Sequence, residues 1–272
     1  MNRIAETFET LKREGRKALI PYIAAGDPDL ETTVRLVIEM ERSGADIVEL
    51  GVPFSDPVAD GPTIQRACLR SLQKGTTLRA IVATVASIRA SSRIPIVLMT
   101  YYNPILAYGV SAFCWEAARA GVNGVIVPDL PPEEGGELID ACREQGLAVN
   151  FLVAPTSTVR RTELIDAHTT GFVYCVSLTG VTGARNRMDE GAGGFMEKVR
   201  AHATRPLAIG FGISTPEQAR KAVQLADGVI VGSAIIDAME RCANSDAMVQ
   251  AVGDFVAALR QGIDDVKEKS EG

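Results

Sequence analysis

Residues 46–67 read DIVELGVPFSDPVADGPTIQRA. A short apolar run ends on a carboxylate, Glu49. A loop set by Pro53, Pro57, Gly61 and Pro62 follows, carrying Asp60 eleven residues after Glu49, and then a helix-like run begins. Burying an unpaired charge is costly, so an acid at the end of a core strand is not placed there for stability. The stretch decides the fold because its pattern of apolar run, Gly/Pro/Asp loop and helical segment recurs. The other runs are ALIPYIAA from Ala18, PIVLMT from Pro95, GVIVP from Gly124, AVNFLV from Ala148, GFVYCVS from Gly171, PLAIGFG from Pro206 and GVIVG from Gly228, eight in all. Between them lie amphipathic segments such as TPEQARKAVQLA, with Thr215 placed to cap, Pro216 in the first turn and Glu217 just after. Continuous apolar strands alternating with helices indicate a parallel sheet covered on both faces.

Eight such units predict an α/β protein closed into a single (β/α)₈ TIM barrel. An open doubly wound sheet would favour G-x-G-x-x-G after the first strand. That strand instead runs into AAGDPD, and the later GFGIST lacks the third glycine. The 272 residues suit one barrel domain over 1–272. Ile4, Phe8 and Leu11 recur at helical spacing and predict an extra N-terminal helix within residues 1–16. The tail DDVKEKSEG, residues 264–272, carries no signal and is expected to be a solvated, frayed end.

Hydrophobic residues make up 46% and charged residues 23%, which permits a sizeable core. The net charge of −6 and the lack of a basic run argue against a nucleic-acid partner. No apolar run approaches the roughly 18 residues of a membrane span, and the charged N-terminus does not suit a secretory signal. A cytoplasmic location is expected. The five cysteines are scattered without C-x-x-C spacing, which reads as reduced thiols. The two histidines, His168 and His202, fall in polar connectors and are expected at the surface.

In such a barrel, function sits at the C-terminal ends of the strands. Glu49 lies near the end of the second, Asp60 in the loop after it, Tyr101 and Tyr102 in the loop YYNPILAYG expected after the third, and Tyr174 within the sixth. Glu49 and Asp60 could form a cap and an ion pair, or acid–base machinery. GFGIS at 210–214 and VGSAIID at 231–237 close the last two strands. Glycine lets backbone N–H groups approach an anion, and a helix starting after Gly232 and Ser233 adds a positive dipole end, so a phosphate site is expected. Tight strand-to-helix packing would also demand glycine there. Gly183 in the sixth loop could add an amide. That loop, LTGVTGARNRMDEGAGG at 178–194, is rich in glycine through Gly191, Gly193 and Gly194, and reads as a mobile lid or a solvated linker.

ELGVPFSDPVADGPTIQ, VLMTYYNPI, GVTGARN and GFGIS, in this order and spacing, resemble the tryptophan synthase alpha chain family. The resemblance runs from the N-terminal helix to the eighth strand, with no departure at a motif position. It implies a carbon–carbon lyase that cleaves indole-3-glycerol phosphate to indole and glyceraldehyde 3-phosphate by a retro-aldol reaction. The family's catalytic acids fall on Glu49 and Asp60, and its phosphate positions on Gly183, Gly212, Gly232 and Ser233. Its indole and glycerol pocket falls on Tyr22, Thr100, Tyr101, Leu152, Tyr174 and Phe211, and Thr182 matches a lid threonine that contacts Asp60 on closure. No metal or organic cofactor is implied on this chain. Pyridoxal phosphate is expected only on a beta chain partner, which would take the indole for tryptophan biosynthesis in an α₂β₂ assembly. Three other readings stay open: a stand-alone indole-3-glycerol phosphate lyase, a barrel isomerase acting on a sugar phosphate or histidine precursor, and a non-catalytic activating subunit.

Overall fold

The computed structural model describes residues 2–176, 188–210 and 212–265. Its strands are β1 (Ala18–Ala24), β2 (Val48–Gly51), β3 (Ile96–Met99), β4 (Gly124–Ile126), β5 (Ala148–Asn150), β6 (Leu152–Val153), β7 (Val173–Val176), β8 (Leu207–Gly210) and β9 (Gly228–Val231). They form one sheet in the order β5-β4-β3-β2-β1-β9-β8-β7-β6. All described strand pairs are parallel. β5 and β6 are two halves of one pass, separated by Phe151. The first half pairs with β4 and the second with β7. The Phe151 carbonyl accepts the Tyr174 amide at 2.9 Å and the Val149 carbonyl accepts the Thr170 amide at 2.9 Å, so the ring is closed. Asn150 stitches this seam: its Nδ2 donates to the Val125 carbonyl at 3.1 Å and its Oδ1 accepts the Phe172 amide at 2.9 Å. The nine strands are therefore the eight apolar runs of the sequence.

Eight helices form the outer layer: α2 (Leu30–Arg42), α4 (Leu78–Ile88), α6 (Val110–Ala120), α7 (Gly136–Gln145), α8 (Val159–His168), α9 (Met188–Arg200), α10 (Pro216–Leu225) and α12 (Ser245–Asp264). Four more among the described residues are α1 (Arg3–Arg13), α3 (Pro62–Gln73), α5 (Tyr102–Tyr108) and α11 (Ser233–Glu240). α1 is the expected N-terminal helix. Asn2 caps it, its Oδ1 accepting the Ile4 and Ala5 amides at 3.0 and 3.2 Å. Ile4, Phe8 and Leu11 plug the barrel end, with Phe8 and Phe172 ring centroids 5.7 Å apart.

Two expectations are corrected. Tyr102–Tyr108 is a helix rather than an open loop. Asp129 satisfies its first amide, with Tyr102 N donating to the two carboxylate oxygens at 3.0 and 3.2 Å, and Pro104 falls in the first turn where proline is tolerated. Residues 178–194 are not one loop. α9 starts at Met188, so Gly191, Gly193 and Gly194 are helical. Burial of Phe195, Met196 and Val199 anchors that helix and outweighs the poor propensity of glycine. The first part of the expected lid, residues 178–187, lies outside the described residues, as does the tail 266–272.

The strands alternate although their sequences read as continuous apolar runs. Ile20, Ile47, Val97, Ile126, Ala148, Phe172, Ala208 and Ile230 cluster inside the barrel. Leu19, Val48, Leu50, Ile96 and Leu98 pack outward with the helices. Period-two alternation then turns Glu49, two residues after Ile47, into the barrel.

Candidate active site

Glu49 is 1% exposed, and neither carboxyl oxygen has a hydrogen-bond partner among the described residues. Burial, and secondarily the charge of Asp60, pushes its pKa up to about 8. A carboxylate that has lost water and gained no donor keeps its proton. Tyr22 of β1 stands opposite Glu49 in the ladder. A Cβ on Gly51 would strike the Tyr22 phenol, and one on Gly210 would meet the Tyr174 hydroxyl at 2.8 Å. Glycine at these two strand ends is what lets both rings lie flat against the barrel wall. Burial raises both phenols well above their ordinary range, and the acids Glu49 and Asp60 push in the same direction. Both tyrosines are therefore neutral hydroxyls facing the acids.

Asp60 is held differently. It sits half-buried in the loop between β2 and α3. Burial raises its pKa, opposed by a hydrogen bond from the Tyr101 hydroxyl. That hydroxyl also accepts the Ala59 amide at 3.0 Å, and Gln65 Nε2 donates to the Asp60 carbonyl at 2.8 Å. The Phe54 and Tyr101 rings lie 5.1 Å apart. Tyr101 is thus the post against which the acid loop is fixed. The Thr100 amide donates to the Ile126 carbonyl at 3.0 Å, placing Thr100 at the same rim. Leu152 pairs with Tyr174 across β6 and β7. Tyr22, Thr100, Tyr101, Leu152 and Tyr174 thus surround one mouth with Glu49 and Asp60. Thr182, Gly183 and Phe211 lie outside the described residues.

The glycine loops complete the rim. Gly212 follows β8 with φ +63°, and a Cβ there would meet nothing within 4 Å. Gly232 follows β9 and is the N-cap residue of α11, which has no side-chain cap. The Ile235 amide bonds the Gly232 carbonyl at 2.9 Å, so the amides of Ser233 and Ala234 are the first-turn N–H groups left for another acceptor. Neighbouring α10 is capped, since Thr215 Oγ1 accepts the Gln218 amide at 3.2 Å. An ion-pair chain locks the acid side to the glycine side. Arg70 of α3 makes a two-pronged contact with Asp27 at 2.8 and 2.7 Å and reaches Glu240 of α11 at 2.7 Å. Arg66 meets the same Glu240 at 3.0 Å.

Several residues of this mouth do not stand out in the sequence: Gly51, Met99, Ile64, Cys68 and Ile236. The last four form an apolar cluster with Tyr22. Met99 was findable as the strand-end neighbour of Thr100. Ile64, Cys68 and Ile236 lie on α3 and α11, and nothing in their spacing aims them at a mouth. His168 and His202 are only part-buried and far from this rim; His168 binds the Leu164 carbonyl at 2.9 Å, and His202 meets Glu163 at 3.1 Å.

Known proteins share this chain's pattern along nearly its whole length. Residues 8–264 match the family model described as tryptophan synthase alpha chain. The chain belongs to the tryptophan synthase alpha chain family. One curated relative, the tryptophan synthase alpha chain of Geobacter sp. (strain M21), is 50% identical over 97% of this chain and 98% of its own. A solved tryptophan synthase alpha subunit from Legionella pneumophila superposes with TM-score 0.91 at 40% identity, covering 97% of this chain and 99% of that one. A chain from the tryptophan synthase of M. tuberculosis superposes with TM-score 0.87 at 36% identity, over 97% and 99%. Family membership makes the chain an enzyme of this kind and its fold the family's TIM barrel. No helix among the described residues is long and apolar enough to cross a membrane.

Proposed function

We propose that this chain cleaves indole-3-glycerol phosphate to indole and glyceraldehyde 3-phosphate as the alpha subunit of tryptophan synthase. The observation that carries the reading is Glu49: a buried, unpartnered carboxyl at the mouth of a family barrel, protonated at neutral pH. The phosphate is held by the amides of Gly212, Gly232 and Ser233, with Gly183 from the sixth loop. The indole ring lies among Tyr22, Tyr101, Leu152 and Tyr174, with Thr100 and Phe211 at its edge. Glu49 gives its proton to C3 of the indole, leaving an iminium-like ring. Asp60, beside the ring N–H, stabilises that positive charge. Glu49, now a carboxylate, takes the proton of the glycerol hydroxyl next to the ring. The carbon–carbon bond breaks, its electrons restore the aromatic ring, a carbonyl forms, and Glu49 ends protonated as it began. These steps use only side chains of this chain, and no cofactor enters them.

The product is small and apolar, so transfer to a consuming enzyme is an advantage. A pyridoxal-phosphate-dependent beta chain is the proposed partner, in an α₂β₂ assembly docked on the active-site face. Val58 in the acid loop is 80% exposed and Leu106 on α5 is 50% exposed, apolar surface of the kind a partner covers. Mixing the chain with its cognate beta chain, weighing the complex and assaying indole release with and without it tests this reading. A complex with raised kcat is expected. High activity alone with no complex at micromolar concentration would support a stand-alone lyase. No indole release in either state would overturn the reading.

A further inference from the structure

A cavity of about 960 Å³ lies at the other end of the barrel from the acids. Lys17, Leu147, Gly171, Pro206 and Asp227 all line it, and each immediately precedes or lies near the start of a strand. α1 forms one wall, and the ends of α7 and α8 form another. Its volume is within the range of small-molecule sites.

We propose that this cavity binds a phosphorylated organic anion of nucleotide size. The first reason is charge. Lys12, Arg16, Lys17, Arg143, Arg200 and Arg205 line it against two carboxylates, Glu9 and Asp227. The whole chain carries −6, so this cationic lining runs against its overall balance. The second reason is how those cations are partnered. Asp227 takes both Arg200, at 2.7 Å, and Lys17, at 3.6 Å. Arg16 meets Glu14 at 3.4 Å and Asp46 at 3.7 Å, and Arg143 meets Asp140 at 2.6 Å. The side chains of Lys12 and Arg205 have no ion pair or hydrogen bond among the described residues. They stand on different walls of the cavity, on α1 and before β8. Cations meeting across a concave site focus a positive potential that an anion relieves. The third reason is the apolar part of the lining. Phe8, Leu147 and Val149 are almost wholly buried and form its floor, and the part-buried Pro206 is the apolar face left for a ring, while the cations supply phosphate partners. A phosphate ester bearing a flat ring satisfies both.

Titration calorimetry on the full-length protein tests this, with ATP as probe and glycerol 3-phosphate present in excess to occupy the glycine loops at the opposite end. One saturable site is expected. Lys12→Glu combined with Arg205→Glu should weaken it at least tenfold, and added salt should weaken wild-type binding. Both positions are surface-exposed, so the variant is expected to keep its circular dichroism and its basal indole release. Should the double variant lose its fold, the single changes Lys12→Gln and Arg205→Gln are each expected to give a partial loss. No saturable binding up to millimolar ATP would overturn the proposal. So would equal affinity in wild type and variants, or binding abolished by glycerol 3-phosphate.

Discussion

Glu49 and Asp60 face the same mouth, yet the chain holds them in opposite ways. Glu49 is part of a four-residue strand, flanked in the ladder by Tyr22 and Val97, and its environment is fixed once the barrel closes. Asp60 sits on a proline-and-glycine loop fastened at Tyr101 and Gln65. Burial acts on both, but only Asp60 has a donor to counter it. One carboxyl is thus kept neutral and the other can ionise, from residues only eleven apart. Two acids with separated proton affinities are what an acid and a charge stabiliser need.

The comparison breaks most sharply at Glu49. Glu49→Gln should lower kcat by about 10²- to 10⁴-fold with KM little changed, since an amide cannot shuttle a proton. It should also change stability. The folded-state pKa of about 8 lies above the ordinary glutamate value, so the folded protein binds the extra proton between the two. Wild-type stability therefore falls as pH rises from about 4.5 to about 8, and the glutamine variant should lack that fall. Urea unfolding of both proteins at pH 6 and pH 9 measures it. Activity within a few-fold of wild type would remove Glu49 from the chemistry.

Asp60→Asn should cost about 10²-fold in kcat, by weakening stabilisation of a cationic ring. Equal rates across pH would sink that role. Tyr101→Phe sharpens the contrast without deleting either acid. It removes the hydrogen bond that lowers the Asp60 pKa. The rising limb of the kcat/KM–pH profile, set by ionisation of Asp60, should therefore move to higher pH. The falling limb, set by loss of the Glu49 proton near pH 8, should stay. Movement of the falling limb instead would reverse the assignment.

Smaller effects are expected at the glycine rim. Gly212→Val must adopt a positive φ, and the new side chain of Gly232→Val would press on Tyr22, whose Cδ1 lies 3.2 Å from a built Cβ. Each should raise KM roughly tenfold, about 1.4 kcal/mol of anion binding, while kcat moves less. Lost thermal stability with unchanged KM would make these packing glycines only. The smallest effect is expected at the capped neighbour. Thr215→Ala should cost about 1 kcal/mol of stability and leave both kinetic constants alone.

Much of this molecule is legible in its residues alone. The eight apolar runs are the barrel strands, and Thr215 and Pro216 start α10 as their residue types predict. Glu49, Tyr22 and Gly232 sit at one mouth because a parallel barrel puts all strand C-termini on the same side. These features depend on local pattern and on one topological rule, which is why the chain's letters suffice.

Other features needed the fold. The run DIVEL is apolar on both sides of Glu49, so its period-two alternation cannot be seen until helices cover one face and the barrel encloses the other. The helices 102–108 and 188–200 read locally as loop because their stability comes from Asp129 and from burial of Phe195, Met196 and Val199. Both of those supports are tertiary and distant from any local signal. Sequence alone therefore determined the strand–helix repeat, the capping residues and the place of Glu49 and Asp60 at one end of the barrel. Only the tertiary structure decided that Glu49 has no donor, that Tyr101 holds the Asp60 loop, and that six cations line a cavity at the far end. Desolvation and charge clustering are properties of residues brought together in space, and linear spacing does not contain them.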